Sequence, residues 1–326
     1  MSVAISRRTR RLAGQLYRLL NYPRQAILRS QINDPESFRR FELIRNEYSN
    51  IFQRLIDAWE LPSINGKSNL YDWTSWSATV YKSFVDGIPR RFLAYPVIAH
   101  TMVYGSSGNA KACRDRASFV SEVFGKEIAN LLLREDAVGG PMIDDLKWMT
   151  SANRAHHAGH LARYFQARNY DFTEIDSILE WGGGYGDMAV IVKRRNPDCT
   201  YLILDLNELL ALQYVYLAAI LGEAAVHLVT PDLPPQSGKI NLVPSMAVIT
   251  GKMSLRCSGF LSTWALNESP ADAQKFVADN NYFGASKILL AYAKNDDNVL
   301  SKNLGCLGIE EYPDPFLGIN DRYAFL

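Results

Sequence analysis

After Asp171 the hydrophobic pattern of the chain changes period, and that change limits what it can fold into more than any other feature. Short apolar runs of strand length now alternate with helical stretches: SILEW (177–181) then MAVIVKRR, TYLILDL (200–206) then NELLALQYVYLAAILG, AVHLV (225–229), GFLSTWAL (259–266) then PADAQKFVADN, SKILLAYA (286–293), and RYAFL (322–326). A strand that returns through a helix re-enters its sheet in the same direction, so this order predicts a largely parallel, Rossmann-like α/β sheet wrapped by helices.

The first half reads differently. Leu12, Leu16, Leu19 and Leu20 recur at helical spacing among arginines, and Phe38, Phe41, Ile44, Tyr48, Ile51, Phe52, Leu55 and Trp59 continue a 3/4 period up to Pro62. Asp34-Pro35-Glu36-Ser37 supplies a cap and a first-turn proline for that helix. Residues 62–112 are rich in aromatics and broken by glycine and proline, which fits either a lid over a ligand or an irregular piece of core. Helical pattern returns over Ala117–Arg134, Gly139-Gly140-Pro141 interrupts it, and Ile143–Arg168 reads as helix again. The expected organisation is a mainly helical cap over residues 1–150, supplying the acceptor-binding region, and a ligand-binding α/β domain over 151–326.

With 326 residues and 48% hydrophobic content, the chain has ample material for a buried core. The net charge of +1 favours no particular partner, yet residues 1–30 hold seven arginines and no acid. Cys113, Cys199, Cys257 and Cys306 lack any CxxC spacing, which argues against a disulfide framework or a zinc knuckle and fits a reducing cytoplasm. No stretch approaches the roughly 20 apolar residues of a membrane span, and the N-terminus has no signal-type apolar core. A cytoplasmic protein is therefore expected.

Within ILEWGGGYGDMA (178–189), four glycines follow the first strand directly. In a doubly wound sheet that turn must let a ligand approach the backbone. A dinucleotide is one occupant: Gly184-Tyr185-Gly186-Asp187-Met188-Ala189 satisfies G-x-G-x-x-G/A, and Asp205 lies about 20 residues on, as a ribose acid should. S-adenosylmethionine is the other. Glu180-Trp181-Gly182-Gly183-Gly184-Tyr185-Gly186 satisfies E/D-x-G-x-G-x-G, with Glu180 holding the methionine ammonium and Asp205 the ribose hydroxyls. The acid before the glycines, the presence of one such half and its place at the C-terminal end favour the second occupant.

ILEWGGGYG, YLILDLNELLALQYVYLAAILG and FLSTWALNESP together resemble the sugar O-methyltransferases of bacterial polysaccharide and glycosylated natural-product gene clusters, over about residues 150–326. The resemblance implies a seven-stranded, mostly parallel class I methyltransferase sheet. It implies cofactor contacts at Glu180, Gly182, Gly184, Gly186 and Asp205, with Gln213 and Tyr216 supporting the pocket and Glu268 at its mouth. Gly183, Tyr185, Trp181 and Leu206 join the candidate cofactor set as neighbours in the same two loops. Asn207 stands where that family has proline, and Ser269-Pro270 replaces its Met-Pro ending; the latter weakens the role of Glu268.

Methyl transfer to a sugar hydroxyl calls for alignment and a general base. His156, His157 and His160 lie just before the first strand; His156 and His160 share one helical face while His157 points elsewhere. His157, His156 and Glu268 are the candidate bases, with packing at the domain junction as the alternative for the histidines. No metal ligand set stands out; magnesium stays open, with Asp144-Asp145 or Asp296-Asp297 as ligands or, more simply, as solvated turns.

The expected acceptor is a sugar, nucleotide sugar or glycan. The alternatives are another small molecule or a nucleic acid, and then a nicotinamide-dependent oxidoreductase. A nucleic-acid base is disfavoured because the strand ends Asn267-Glu268-Ser269-Pro270, not [DN]-P-P-[YF]. The Arg7–Arg29 segment reads as a peripheral contact with an anionic membrane face, as a phosphate contact, or as a solvated helix. Assembly into a homo-oligomer is left open.

Overall fold

The computed structural model of the chain describes residues 22–60, 73–104, 110–294, 300, 304, 310–313, 316 and 320–326. Arg7, Arg8, Arg10, Arg11 and Arg18, the leucines at 12–20, Cys306 and Asp296-Asp297 lie outside these residues.

The second half has the expected architecture. Its strands are β1 (Ser177–Trp181), β2 (Thr200–Asp205), β3 (Val226–Leu228), β4 (Ile240–Pro244), β5 (Gly259–Thr263), β6 (Lys287–Ala293), β7 (Glu310–Pro313) and β8 (Asp321–Phe325). They form one sheet in the order β3-β4-β2-β1-β5-β6-β8-β7, parallel except that β8 runs antiparallel to both β6 and β7. Among the described residues there are thus eight strands, not seven. Strands β4 and β7 were not anticipated. INLVP carries a buried asparagine, Asn241, whose amide bonds Gln236 and Lys239 carbonyls and closes the preceding loop, a tertiary role that breaks the apolar run. GFLSTWAL stops being strand at Thr263.

β1 pairs with β2 on one side, Trp181 opposite Leu204, and with β5 on the other, Glu180 opposite Leu261. The chain leaves β1 in one direction and later returns to its other flank, which makes the carboxyl end of β1 the switch point where such sheets bind ligands.

Helices fill both faces. Those of the first half are α1 (Tyr22–Ile32), α2 (Pro35–Ile44), α3 (Tyr48–Trp59), α4 (Trp73–Phe84), α5 (Pro96–Ala99) and α6 (Ala110–Leu133); α7 (Ala152–Arg168), α8 (Asp187–Arg195) and α9 (Asn207–Leu221) follow. The single helix expected after Asp34 is two, broken at residues 45–47, although Asp34 caps it by accepting from the Glu36 and Ser37 amides. The expected helix over 143–168 begins only at Ala152. Asp145 instead accepts the Trp148 amide and holds a turn ahead of the helix, while Asp144 accepts the Ala152 amide and Ser151, the N-cap, the Arg154 amide, so capping side chains set the start at Ala152. The described parts of 62–112 hold α4, a 3-10 turn, α5 and the first residues of α6.

Helix α9 is apolar all round because it is covered on all sides. Arg40 donates to the Ala219 and Ile220 carbonyls at its C-terminus, 2.8 and 3.0 Å away, and Tyr48 donates to the Glu208 carbonyl at its start. Tyr48, Ile51, Leu55, Val80 and Phe84 pack in the same buried cluster as Leu210, Tyr216 and Leu217. Each such buried side chain contributes about 1.5–3 kcal/mol. Of the basic segment, Arg29 donates to the Pro141 carbonyl, and Gln25 exchanges two hydrogen bonds with the Ile143 backbone, pinning α1 to the 141–143 loop.

Candidate functional site

A cavity of about 730 Å³ opens at the carboxyl ends of β1, β2, β4 and β5, a size usual for ligand sites. Glu180, Trp181, Gly182, Gly183, Gly184, Tyr185, Asp205, Leu206, His156, His157 and Glu268 all line it, so the structure brings nearly every candidate to one place. Gly186 and Gln213 do not line it and act from behind.

The glycine loop owes much of its composition to packing inside the protein. Gly182 has φ +76°, and a Cβ there would lie 2.2 Å from that of Ala265. Gly186 has φ +100° at the N-terminus of α8 and presses on Leu217. A Cβ on Gly183 would meet Ile203 at 2.7 Å. Gly184, at φ +58°, is the one whose Cβ position borders, among the described residues, only Met102, at 3.9 Å, and it is the glycine open to a ligand.

Two carboxyl groups sit under this loop without a basic partner in hydrogen-bond reach among the described residues. Glu180 is buried and accepts from the Tyr201 hydroxyl at 2.9 Å; burial pushes its carboxyl up to about 8. Asp205 accepts from the Leu206 amide and from Gln213 Nε2, each at 2.8 Å, and burial raises it to about 7. Gln213 Nε2 also donates to the Gly184 carbonyl, coupling the two loops, while its Oε1 is buried with no hydrogen-bond partner among the described residues. Burial holds both carboxyls near neutrality, and a cation brought against them favours their ionised forms.

Trp181 and Tyr185, candidate aromatic neighbours of a ligand, are largely committed to the protein. Trp181 donates to Ser269 Oγ, and Tyr185 packs edge-on against Tyr216 with its hydroxyl accepting from Asn153.

The opposite wall carries the histidines. His157 Nδ1 lies 2.8 Å from Asp187 Oδ2, leaving Nε2 as the ring nitrogen for a ligand. Asp187, in the first turn of α8, is fully buried; against the effect of that burial, Arg154 and His157 hold its carboxyl well below the usual carboxylate range. Arg154, itself buried, binds Asp187 at 2.8 Å, Asp136 at 3.1 Å and Glu135 at 3.2 Å. His156 is buried, and burial together with neighbouring His160, Arg116 and His157 depresses its pKa strongly. Its ring stacks on Tyr104 at 4.2 Å. Glu268, in the short helix Ala265–Glu268 after β5, is pushed up to about 7 by burial.

Asp187 and Trp264 escaped the sequence reading. Asp187 gains its role from Arg154 and His157, some thirty residues away, which no local pattern reveals. Trp264 has φ 73° and ψ −41°, the region of the strained γ-turn, costing about 1–3 kcal/mol. Its amide is held by the Ala291 carbonyl at 2.7 Å and its ring lines the cavity.

Asp144 and Asp145 serve backbone amides, as noted above, and among the described residues no group of three or more His, Cys, Asp or Glu side chains gathers as a metal site. Among the same residues no helix is long and apolar enough to cross a membrane. Cys113, Cys199 and Cys257 are buried free thiols.

No family model matches the chain, and no curated protein matches it. Solved structures similar to it in part include the pyocyanin biosynthetic protein PhzM, at 16% identity over 53% of this chain and 56% of that one, TM-score 0.35. The mitomycin 7-O-methyltransferase MmcR is 13% identical over 76% of this chain and 71% of that one, TM-score 0.36. The magnesium protoporphyrin IX methyltransferase ChlM from Synechocystis PCC 6803, with bound SAM, is 9% identical over 52% of this chain and 78% of that one, TM-score 0.37. The chain spans little more than half the length of PhzM, and what it does rests on its own residues.

Proposed function

We propose that the chain is an S-adenosylmethionine-dependent O-methyltransferase whose acceptor is a hydroxyl of a sugar, nucleotide sugar or glycan. The observation that carries this reading is the pair of buried carboxylates, Glu180 and Asp205, flanking the open glycine at the switch point. Glu180 fits the ammonium of a methionine moiety and Asp205 a pair of ribose hydroxyls, with Gln213 holding Asp205 in place. A pyrophosphate set against the same carboxyls would keep them protonated and gain nothing from their charge, whereas a cationic ligand favours their ionised forms.

When bound, the cofactor supplies a methyl group on a sulfonium. The chain's own work is to fix the acceptor oxygen in line with that carbon, exclude water and take the hydroxyl proton. His157 is the proton acceptor of this scheme. Asp187 accepts from its Nδ1–H, fixes the ring and leaves the Nε2 lone pair for the hydroxyl, an arrangement that general bases share across folds. Arg154 keeps Asp187 ionised and in place. Glu268 is the second candidate base, from the other side of the mouth. The helical region 1–150 contributes Trp76, His100, Thr101, Met102 and Tyr104 to the cavity wall, which suits an acceptor-binding role.

Parallel calorimetric titration with S-adenosylmethionine, S-adenosylhomocysteine and NADH tests the cofactor. Binding of the two adenosyl ligands alone is expected; binding of NADH alone overturns the reading. Methyl transfer to a panel of nucleotide sugars and glycans then tests the acceptor class. Transfer only to non-sugar hydroxyls would leave the methyltransferase and remove the sugar.

A further inference from the structure

Trp264, on the cavity wall, stands in a backbone conformation that a side chain of its kind does not favour. It has φ 73° and ψ −41°, whereas Glu60, Asn169, Tyr282 and Phe283, also of positive φ, have ψ of 49°, 40°, 40° and 27° and lie in the left-handed helical region. The conformation is imposed from both sides. The Trp264 amide donates to the Ala291 carbonyl at 2.7 Å, and its own carbonyl accepts the Glu268 amide at 3.0 Å. Ser262 Oγ donates to the Trp181 carbonyl and accepts the Leu266 amide, each at 3.0 Å, which locks the turn between β5 and the short helix Ala265–Glu268. Glycine would adopt these angles without strain. Core packing does not account for an indole here: Trp59, Trp148 and Trp181 are buried with φ outside the positive range, while Trp264 is only half-buried and lines the cavity. Strain kept at a partly open position points to a task for the side chain.

That task lies on the acceptor side. β5 flanks β1 opposite β2, so Trp264 stands across the switch point from Asp205. His156 meets the indole at its Nε1 edge, with the ring planes 8° apart and the centroids 6.5 Å apart, and the ring of His157 lies 6.1 Å from that of His156. The Nε1 edge is therefore taken, and a ring face is what the indole has to offer beside the proposed base. Such a face is broad, apolar and partially negative. A pyranoside directs its hydroxyls outward and presents slightly positive, apolar C–H groups on a face of its rigid ring; an open-chain polyol holds no such face. Resting on the methyltransferase reading and its sugar acceptor, we infer that Trp264 is the platform on which the acceptor ring lies, and that it selects pyranosides over open-chain polyols. Stacking through the face leaves the hydroxyls at the ring's edge free for His157. Trp264 is then a specificity-determining residue, and its strained turn is what presents the indole to the cavity.

The direct test is 1H–15N NMR of the indole Nε1–H signals in the full-length protein bound to S-adenosylhomocysteine, with the Trp264 signal identified by its loss in Trp264→Phe. Methyl β-D-glucopyranoside, methyl β-D-galactopyranoside, methyl α-L-rhamnopyranoside and the open-chain polyol sorbitol are titrated in. At least one pyranoside should move the Trp264 signal saturably, with its own ring protons shifted upfield, and bind about tenfold or more tightly than sorbitol. No response to any pyranoside, or an equal response to sorbitol, overturns the inference. Trp264→Leu should weaken the responding glycoside about tenfold while S-adenosylmethionine and S-adenosylhomocysteine bind as in the wild type, and Trp264→Phe, which keeps a smaller face, should fall between. Selective loss of S-adenosylmethionine in Trp264→Leu would assign the indole to the sulfonium and overturn the platform. In urea, Trp264→Gly should unfold at a higher midpoint than Trp264→Ala; the reverse order removes the strain from which the inference starts. S-adenosylhomocysteine calorimetry on the wild type separates the two readings. No binding there defeats the methyltransferase proposal, whereas intact binding with no pyranoside response defeats only this one.

Discussion

Replacing Glu180 with glutamine should make the protein more stable and a poorer binder at the same time. The carboxyl is fully buried with the Tyr201 hydroxyl as its hydrogen-bond partner, and its pKa rises from an ordinary 4.5 to about 8. At 1.36 kcal/mol per pKa unit, ionising it in the folded state costs roughly 5 kcal/mol more than in the unfolded chain. The sign follows from proton linkage. Below pH 4.5 both states hold the proton and nothing is lost. As pH rises towards 8 the folded form retains a proton that the unfolded form releases, so stability falls, and above 8 the loss is complete. Glutamine keeps the shape and accepts the Tyr201 hydrogen bond without titrating. The variant should match the wild type near pH 4.5 and exceed it by roughly 3 kcal/mol at pH 7, a rise in Tm of about 4 °C for a chain of this length. Binding should move the other way, since losing one charge-assisted hydrogen bond of about 1.5–3 kcal/mol weakens S-adenosylmethionine about 10- to 150-fold. Differential scanning calorimetry of both proteins at pH 5, 7 and 8.5, followed by titration calorimetry, reads both effects. A Tm gap that does not widen with pH refutes the burial argument, and unchanged affinity refutes the assignment of Glu180 to the cofactor.

Asp205→Ala should weaken both adenosyl ligands about 10- to 100-fold through loss of two hydroxyl contacts; equal affinities by calorimetry would move the ribose elsewhere. Asp187→Asn should lower kcat about 100-fold with cofactor affinity nearly unchanged, and cost several kcal/mol in denaturant unfolding because Arg154 loses one of its buried counter-charges. His157→Ala should match it in kcat but not in stability, so similar unfolding of the two variants would place the dyad wrongly. Gly182→Ala should destabilise by about 3 kcal/mol or more from its positive φ and the approach to Ala265, reported by the urea midpoint. For the basic segment, liposome sedimentation of full-length and residue-31-onward proteins at two salt concentrations should show salt-sensitive retention of the full chain alone on anionic vesicles; equal behaviour removes the membrane role of Arg7–Arg29.

Much of the sheet was legible because buried parallel strands are short apolar runs and their helices follow at once. SILEW, TYLILD and KILLAYA needed no tertiary information. INLVP was not legible, since Asn241 interrupts the run for the sake of a loop it closes, and EEYP is an edge strand held by β8. The helix boundary at Ala152 was hidden because Asp145 holds a turn before it and Asp144 and Ser151 cap its first-turn amides, contacts that the apolar period does not display. In the site, Glu180, the glycines and Asp205 were visible as a spaced motif confined to two consecutive loops. Asp187 was not, because its meaning depends on Arg154, Asp136 and Glu135 arriving from elsewhere.

The sequence by itself determined where the sheet begins, which turn carries the glycines, and which acids lie on either side of that turn, because these are local consequences of period and spacing. It also placed three histidines on one short segment. Only the tertiary structure decided what those histidines are: His157 joined to a buried carboxylate, His156 held neutral between Tyr104, His160 and Trp264. Proton placement on an imidazole follows from which donors and acceptors surround it, and those come from β5, β8 and α8, brought together by the sheet and not by the chain's local pattern.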